Sequence, residues 1–316
     1  MGNDDAASAL ATALGELLGA QQITDLRRLS GGASRETWRF AADGRPLILQ
    51  RQRLGDIRDM GLEARVLRAA HGAGVPSAEV VESGSAQLGC PFMVLSAVEG
   101  ETIARKILRD DEYAQARPLL TAQLAQALAK LHALDPSSVP GLETPDQLHQ
   151  YREMLDTLGH PHPTFELAFR WLEDNRPSPP EREAIVHGDF RLGNVIVGAD
   201  GLRAVIDWEL AHRGDPVEDL AWMCVKAWRF GSARPVAGVG DYGELAEAYE
   251  QASGAAVDLA RLLWWEVFGT LKWGIMCILQ ATAHLSGMSR SHELAAIGRR
   301  VCENEYDLFL ALDGRW

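Results

Sequence analysis

Between Ala184 and Glu209 the chain reads AIVHGDFRLGNVIVGADGLRAVIDWE. Two apolar, strand-like runs enclose a polar knot of His187, Asp189, Arg191 and Asn194, and a third run ends on Asp207. Unpaired charge at the ends of buried strands is costly, so these groups call for a use. An Asp at a strand end can accept the proton of an attacking hydroxyl. An Asn five residues on can turn its carbonyl oxygen toward a divalent cation, and Asp207 offers that cation a charged ligand. Mg2+ takes few, hard oxygen ligands beside nucleotide phosphates, which this set supplies. Phosphoryl transfer is mostly positioning and charge neutralisation, so little other machinery is required. A tight turn in which Asp and Asn cap backbone groups is the plainer use of the same residues. Four groups in register between strands favour the chemistry.

HGDFRLGN…IDWE resembles the catalytic and metal-binding loops of the aminoglycoside phosphotransferase family, a branch of the protein-kinase-like fold. The longer run HGDFRLGNVIV…AVIDWELAHRGDPVEDLAW is similar to the branch that includes the kinase-like domain fused to some acyl-CoA dehydrogenases. The likeness covers nearly the whole chain and is strongest from Val186 to Trp228. It implies Asp189 as catalytic base, Asn194 and Asp207 as Mg2+ ligands, and His187 as orienter of the loop, with ATP or GTP as co-substrate. Arg191 stands where protein kinases carry a Lys facing the transferred phosphate; a cation there can balance transition-state charge, and a solvated loop Arg is the alternative. In GDPVEDLAW, Asp215-Pro216 reads as an N-cap followed by a first helical Pro, and Asp219 as a brace for the catalytic loop.

The same resemblance places the nucleotide in the first hundred residues. LSGGASRETW (Leu29–Trp38) resembles the phosphate-covering loop, in which Gly31 and Gly32 allow close backbone approach and Ser34 adds a hydroxyl. A Gly-Gly hairpin turn is the ordinary alternative. VLSAVEG matches the connector between lobes, with backbone groups of Ser96 and Val98 expected at the adenine edge. Kinases hold the α- and β-phosphates with a third-strand Lys paired to a helix Glu. Glu63 in GLEARVL fits the Glu, but LILQRQR puts Gln50 at the Lys position. Arg51 follows and, on a regular strand, points to the opposite face. Either a bulge turns Arg51 inward, or Gln50 meets phosphate without charge, or the register lies one residue away. Related sequences commonly use Arg in this strand, which favours Arg51 over a solvent-facing role.

These loops need strands and helices to hold them. ETWRFA, the turn ADGRP and LILQ read as a hairpin; AEVVE and PFMVLSAV read as two further strands. Gly61–His71 carries Leu62, Val66 and Leu67 on one helical face. Beyond Gly100 the pattern turns helical: Tyr113–Leu134, then Pro216–Trp228, Leu245–Gln251, Leu259–Gln280 and Ser291–Leu312, with the Pro-rich RPSPPERE leading into the catalytic motif. The expected fold is α+β and two-lobed: a small lobe (1–98) with an antiparallel sheet and a helix, and a large helical lobe (99–316).

Bulk properties exclude some partners. The 316 residues suffice for one large or two ordinary domains, and a net charge of −13 argues against nucleic acid or an anionic membrane. Leu262–Ala281 is apolar but contains Glu266 and Lys272, which favours a buried helix over a membrane span. The scattered Cys90, Cys224, Cys277 and Cys302 suggest reduced thiols, three of them buried, in a cytoplasmic protein. The N-terminal segment lacks a signal-peptide pattern.

The expected activity is therefore transfer of the γ-phosphate of ATP or GTP to a hydroxyl of a small molecule. Its acceptor is either aminoglycoside-like or a hydroxy acid or hydroxyacyl compound. Trp222, Trp228, Trp264, Trp265 and Trp273 make the large lobe aromatic; each alone reads as core, and together they hint at a partly apolar pocket. No dense acidic cluster for a polycation is evident. A nucleotide-binding pseudokinase is the alternative, with Gln50 as its support. A protein kinase is disfavoured because IDWELAHRGD runs straight into the next helix without an activation loop.

Overall fold

The structure, a computed structural model, describes residues 3–29, 35–53 and 55–315. In chain order its elements are α1 (Asn3–Leu18), β1 (Ile23–Arg28), β2 (Arg35–Ala42), β3 (Arg45–Gln52), α2 (Met60–Gly72), β4 (Val80–Gly84) and β5 (Phe92–Ser96). The helical part follows with α3 (Ala104–Arg109), α4 (Arg117–His132), α5 (Gln147–Leu158) and α6 (Pro163–Asp174). Next come β6 (Ala184–Val186), β7 (Val195–Gly198), β8 (Gly201–Val205) and β9 (His212–Gly214). The chain finishes with α7 (Val217–Trp222), α8 (Tyr242–Ser253), α9 (Leu259–Leu285), α10 (His292–Ile297) and α11 (Val301–Leu312).

β5 explains the small lobe. Its run FMVLS is apolar at successive positions because both faces of the sheet are covered. Phe92 and Val94 pack with Phe40, Leu47 and Leu49 under Leu10 and Leu14 of α1. Met93 and Leu95 face the other way, onto α2. The sheet is antiparallel in the order β1-β2-β3-β5-β4. The register of β3 is unbroken against both β2 and β5, which fixes the face of each side chain on it. Asp59 caps α2 by accepting from the Leu62 N–H at 3.0 Å, so Glu63 enters the first turn pointing at the sheet.

The two lobes share one apolar core. Met60, Val66, Leu67, Met93 and Leu95 of the small lobe cluster with Leu120, Leu128, Phe190, Trp208 and Leu220 of the large one. A second cluster joins α5, α6 and α11 to α9. α9 is long and apolar enough to cross a membrane by length and composition, yet it runs through the packed interior and buries both Glu266 and Lys272.

Several helices differ from the sequence expectation. The N-terminal helix α1 is added, as are α3, α5 and α6. The expected Ser291–Leu312 helix breaks at Gly298, where a Cβ would stand 2.7 Å from that of Ala281 in α9. The close approach of the two backbones needs the glycine and interrupts the helix. Cys224 and Cys277 are buried, whereas Cys90 is half-buried and Cys302 exposed, so two rather than three thiols are enclosed.

Because the core is continuous across the lobes, Leu67→Ala in α2 should cost the whole fold about 2–5 kcal/mol. Calorimetry should show one transition moving to lower temperature; two separable transitions would mean the lobes unfold independently.

Candidate active site

The catalytic segment hangs between short ladders. β6 pairs with β9 (Ala184↔Gly214, Val186↔His212) and β7 with β8 (Val195↔Val205). Residues 187–194 link the first ladder to the second, and Asp207 follows the end of β8. Gly188 sits at φ 81°, and a Cβ there would meet the Leu210 carbonyl oxygen at 2.5 Å, so glycine is required. The loop is pinned from below by Asp219 of α7, which has no solvent exposure. Its Oδ2 accepts from the His187 N–H at 2.7 Å and its Oδ1 from the Gly188 N–H at 3.0 Å. Oδ2 also meets His132 Nε2 at 3.2 Å, and His132 Nδ1 meets the Tyr249 hydroxyl at 2.9 Å. Burial opposes ionisation of Asp219, but these donors outweigh it and hold the carboxyl below its ordinary range.

His187 ties the loop to the metal-side segment. Its Nδ1 accepts from the Asp189 N–H at 3.2 Å and its Nε2 donates to the Ile206 carbonyl at 3.1 Å, one residue before Asp207. Asp207 itself has φ 67°, a left-handed conformation that Asp adopts more readily than most side chains.

Asp189 is cradled by three donors. Trp222 Nε1 reaches Oδ1 at 2.7 Å, Arg191 Nε reaches the same oxygen at 3.0 Å, and Asn194 Nδ2 reaches Oδ2 at 2.5 Å. Asn194 thus spends its amide nitrogen on Asp189 and keeps Oδ1 as an acceptor. Arg191 lies over Trp228, its Cζ 4.6 Å from the ring centroid, rather than extending as a solvated loop Arg. Trp222, Trp228 and Trp273 form a continuous aromatic wall, with centroids 5.5 and 4.7 Å apart. Behind Trp222 the buried Lys272 ammonium stands 4.9 Å from the ring and donates to Gln147 Oε1 at 3.0 Å. Sequence reasoning counted Trp222 among tryptophans that read singly as core and together as a hint of a pocket, and it missed both the bond from its N–H to Asp189 and the placing of Lys272. Trp222, 3% exposed, is core as well.

The nucleotide side corrects one expectation. Arg51 lies on the face of β3 turned away from Glu63: it approaches Glu36 at 3.8 Å and donates to the Leu88 carbonyl at 3.3 Å. The unbroken register of β3 leaves no bulge to turn it inward. Gln50 takes the inner face, and the cation beside Glu63 comes from β2. Arg35, 7% exposed, meets Glu63 Oε1 and Oε2 at 2.7 and 2.5 Å, Gln50 Oε1 at 3.2 Å and Glu209 Oε2 at 3.0 Å. Burial pushes Glu63 and Glu209 above the ordinary carboxylate range; Asp207 adds like charge to both, against the pull of Arg35. This crowding suits a hard divalent cation. Among the described residues no cluster of three or more His, Cys, Asp or Glu is placed to hold a metal, so a cation would rely on the Asn194 amide, Asp207 and phosphate oxygens. Gly31, Gly32 and Ser34 lie outside the described residues. In the connector, the Ser96 N–H is bonded to the Glu79 carbonyl and the Ala97 N–H to that of Pro46, while Val98 has no backbone partner among the described residues.

With this geometry in view, comparison with known proteins is direct. Residues 25–265 match the phosphotransferase enzyme family (APH). Acyl-CoA dehydrogenase family member 11 from Gallus gallus is 29% identical over 217 residues, 62% of this chain and 27% of that protein. The chain thus spans about a quarter of that relative's length. Hygromycin-B 4-O-kinase from Escherichia coli is 25% identical, over 63% of this chain and 61% of the kinase. A Ralstonia eutropha structure assigned to the aminoglycoside phosphotransferases superposes with a TM-score of 0.76 at 19% identity, covering 96% of this chain and 98% of that one. The fold is the two-lobed, protein-kinase-like fold of the phosphotransferases. The chain belongs to the phosphotransferase enzyme family.

Two outcomes are expected of this site. Trp222→Phe keeps the packing but removes a hydrogen bond to a charged group, worth about 1.5–3 kcal/mol; turnover should fall about 10- to 100-fold while nucleotide affinity and melting temperature stay near wild type. Equal turnover in steady-state assays would show that the indole N–H does not position the base. The second concerns His212, whose Nε2 meets Glu218 Oε2 at 3.0 Å in a buried pair. Burial would lower the imidazolium, but Glu218 outweighs it and raises His212 above its usual 6.5. The pair therefore contributes stability in full below about pH 6.5 and loses it as pH rises through the elevated folded-state value. Urea unfolding from pH 6 to 9 should show this decline in wild type and a flatter curve in His212→Asn.

Proposed function

We propose that the chain transfers the terminal phosphate of ATP or GTP to the hydroxyl of a small molecule with a largely apolar body. The observation that carries this is the Asp189 carboxylate, held by Trp222, Arg191 and Asn194 at the edge of an aromatic wall. Asp189 accepts the proton of the acceptor hydroxyl. Arg191, held between Asp189 and Trp228, supplies a cation that balances charge on the transferred phosphoryl group. Asn194 and Asp207 would hold Mg2+, which when bound neutralises phosphate charge. Gln50 and Glu63 face the phosphates, and Ser96 and Val98 the base of the nucleotide.

The apolar wall supports a hydroxy acid or its acyl thioester over a polycationic antibiotic. The nearby carboxylates already have cationic partners: Asp189 has Arg191 at 3.0 Å, Glu218 has Lys272 at 3.6 Å, and Glu266 has Arg229 at 2.7 Å along with the Tyr242 hydroxyl. The likeness to a protein named for acyl-CoA dehydrogenation points the same way. Nucleotide binding without turnover drew its support from the neutral Gln50; a cation beside Glu63, Arg35, weakens that support.

The test is release of ADP or GDP across hydroxy acids, hydroxyacyl-CoAs, amino alcohols, sugars, macrolides and aminoglycosides. Turnover is expected with a hydroxylated acid or thioester, and Asp189→Ala should reduce it by about 10^2- to 10^4-fold with ADP binding intact. Wild-type turnover in Asp189→Ala would end its assignment as the base, and turnover confined to aminoglycosides would end the apolar-acceptor reading.

A further inference from the structure

The cation next to Glu63 stands on the wrong strand for the pattern the sequence suggested, and its surroundings are those of a ligand-handling group. We infer that Arg35, at the start of β2, is the residue that holds the inner phosphates of the nucleotide, in place of a cation on β3, an inference that rests on the phosphotransfer reading above. In the sequence Arg35 follows directly on the Gly31–Ser34 stretch, which resembles a phosphate-covering loop. Its side chain crosses the sheet beneath Gln50 to Glu63, and Arg35 pairs with Gln52 in a ladder that fixes this crossing.

Donor accounting shows why a buried ion pair is an incomplete description. The two terminal nitrogens of Arg35 carry four N–H groups, and these meet Glu63, Gln50 and Glu209. Nε–H is buried and has no partner among the described residues. An unmade hydrogen bond from a guanidinium is expensive in the interior, and a phosphate oxygen is the acceptor that guanidinium geometry suits best. Glu209 is also shared: Arg58 pairs with it from the loop before α2, so Arg35 can exchange Glu209 for phosphate without leaving that carboxylate unpaired. Glu63, by contrast, has Arg35 as its charge partner and keeps it in place. Gln50, two residues before the cross-strand partner of Arg35 and on the same face of β3, is neutral. A second cation there would compete for Glu63, so the neutral residue is what a β2 cation requires.

The experiment is a binding ladder by calorimetry: adenosine, ADP and ATP with Mg2+, and the guanosine series in parallel, on the full chain. Wild type should prefer the phosphorylated ligands. Arg35→Gln should lose about 10- to 100-fold for ADP and ATP with the nucleoside unchanged. The exchange variant Arg35→Gln/Gln50→Lys, which returns a cation to β3 beside Glu63, should recover most of that loss. Should Arg35→Gln fail to fold because Glu63 is left buried and unpaired, Arg35→Gln/Glu63→Gln keeps the site neutral and reads the same contrast. Equal loss for nucleoside and diphosphate, or undiminished ADP affinity in a folded Arg35 variant, would overturn the inference while leaving Asp189 chemistry standing. Wild type that binds neither series at any step would overturn the phosphotransfer reading and this inference with it.

Discussion

The catalytic loop holds its shape because one carboxylate, Asp219, is sealed beneath it. Two consecutive backbone N–H groups, of His187 and Gly188, would be orphaned inside the protein without it, and each such group carries a desolvation cost of about 1–3 kcal/mol. Their capture fixes the turn that presents Asp189. The same carboxylate reaches His132 of α4 and, through it, Tyr249 of α8, so the loop is anchored to three helices at once. The left-handed Gly188 is a result of this geometry: the chain must reverse over a carboxylate while passing within van der Waals range of Leu210.

Charge is then sorted across the loop. On one side Asp189 is surrounded by donors, two of them attached to cations or lying against one. On the other, Asp207, Glu63 and Glu209 crowd around Arg35, and burial raises two of the three carboxylates. The donors thus gather on one side of the loop and the carboxylates on the other. His187 lies between them, with one ring nitrogen committed to each.

Much of this was legible in the linear sequence because the groups are close in it. His187, Asp189, Asn194 and Asp207 fall within 21 residues, and strand–turn–strand patterning places them without knowledge of distant contacts. The alternating faces of β3 likewise put Gln50 and Arg51 on opposite sides, and the regular strand prevailed over the expectation of a bulge. Arg35 was not legible: its partner Glu63 is 28 residues away and its other partner Glu209 is 174 away, so only the folded sheet brings them together. The contacts of Trp222 and Lys272 escaped for another reason. The burial of both residues follows from helix periodicity, but the direction of one indole N–H or one ammonium does not. Helix ends in the large lobe were set by close backbone approaches, as at Gly298, which no local propensity records.

The division of the interior into separate apolar clusters has an evolutionary side. The cluster under the catalytic loop carries α2, α4 and α7, and tolerates little, since each of its helices holds a group committed to the loop or to Glu63. A separate cluster, of α5, α6 and α11 against residues 264–275 of α9, holds none of the loop's anchors. Drift there can reshape the ground around the aromatic wall while the phosphate-handling centre stays constant. A fold built in this way can acquire new acceptors by repacking one core and need not reinvent its chemistry each time.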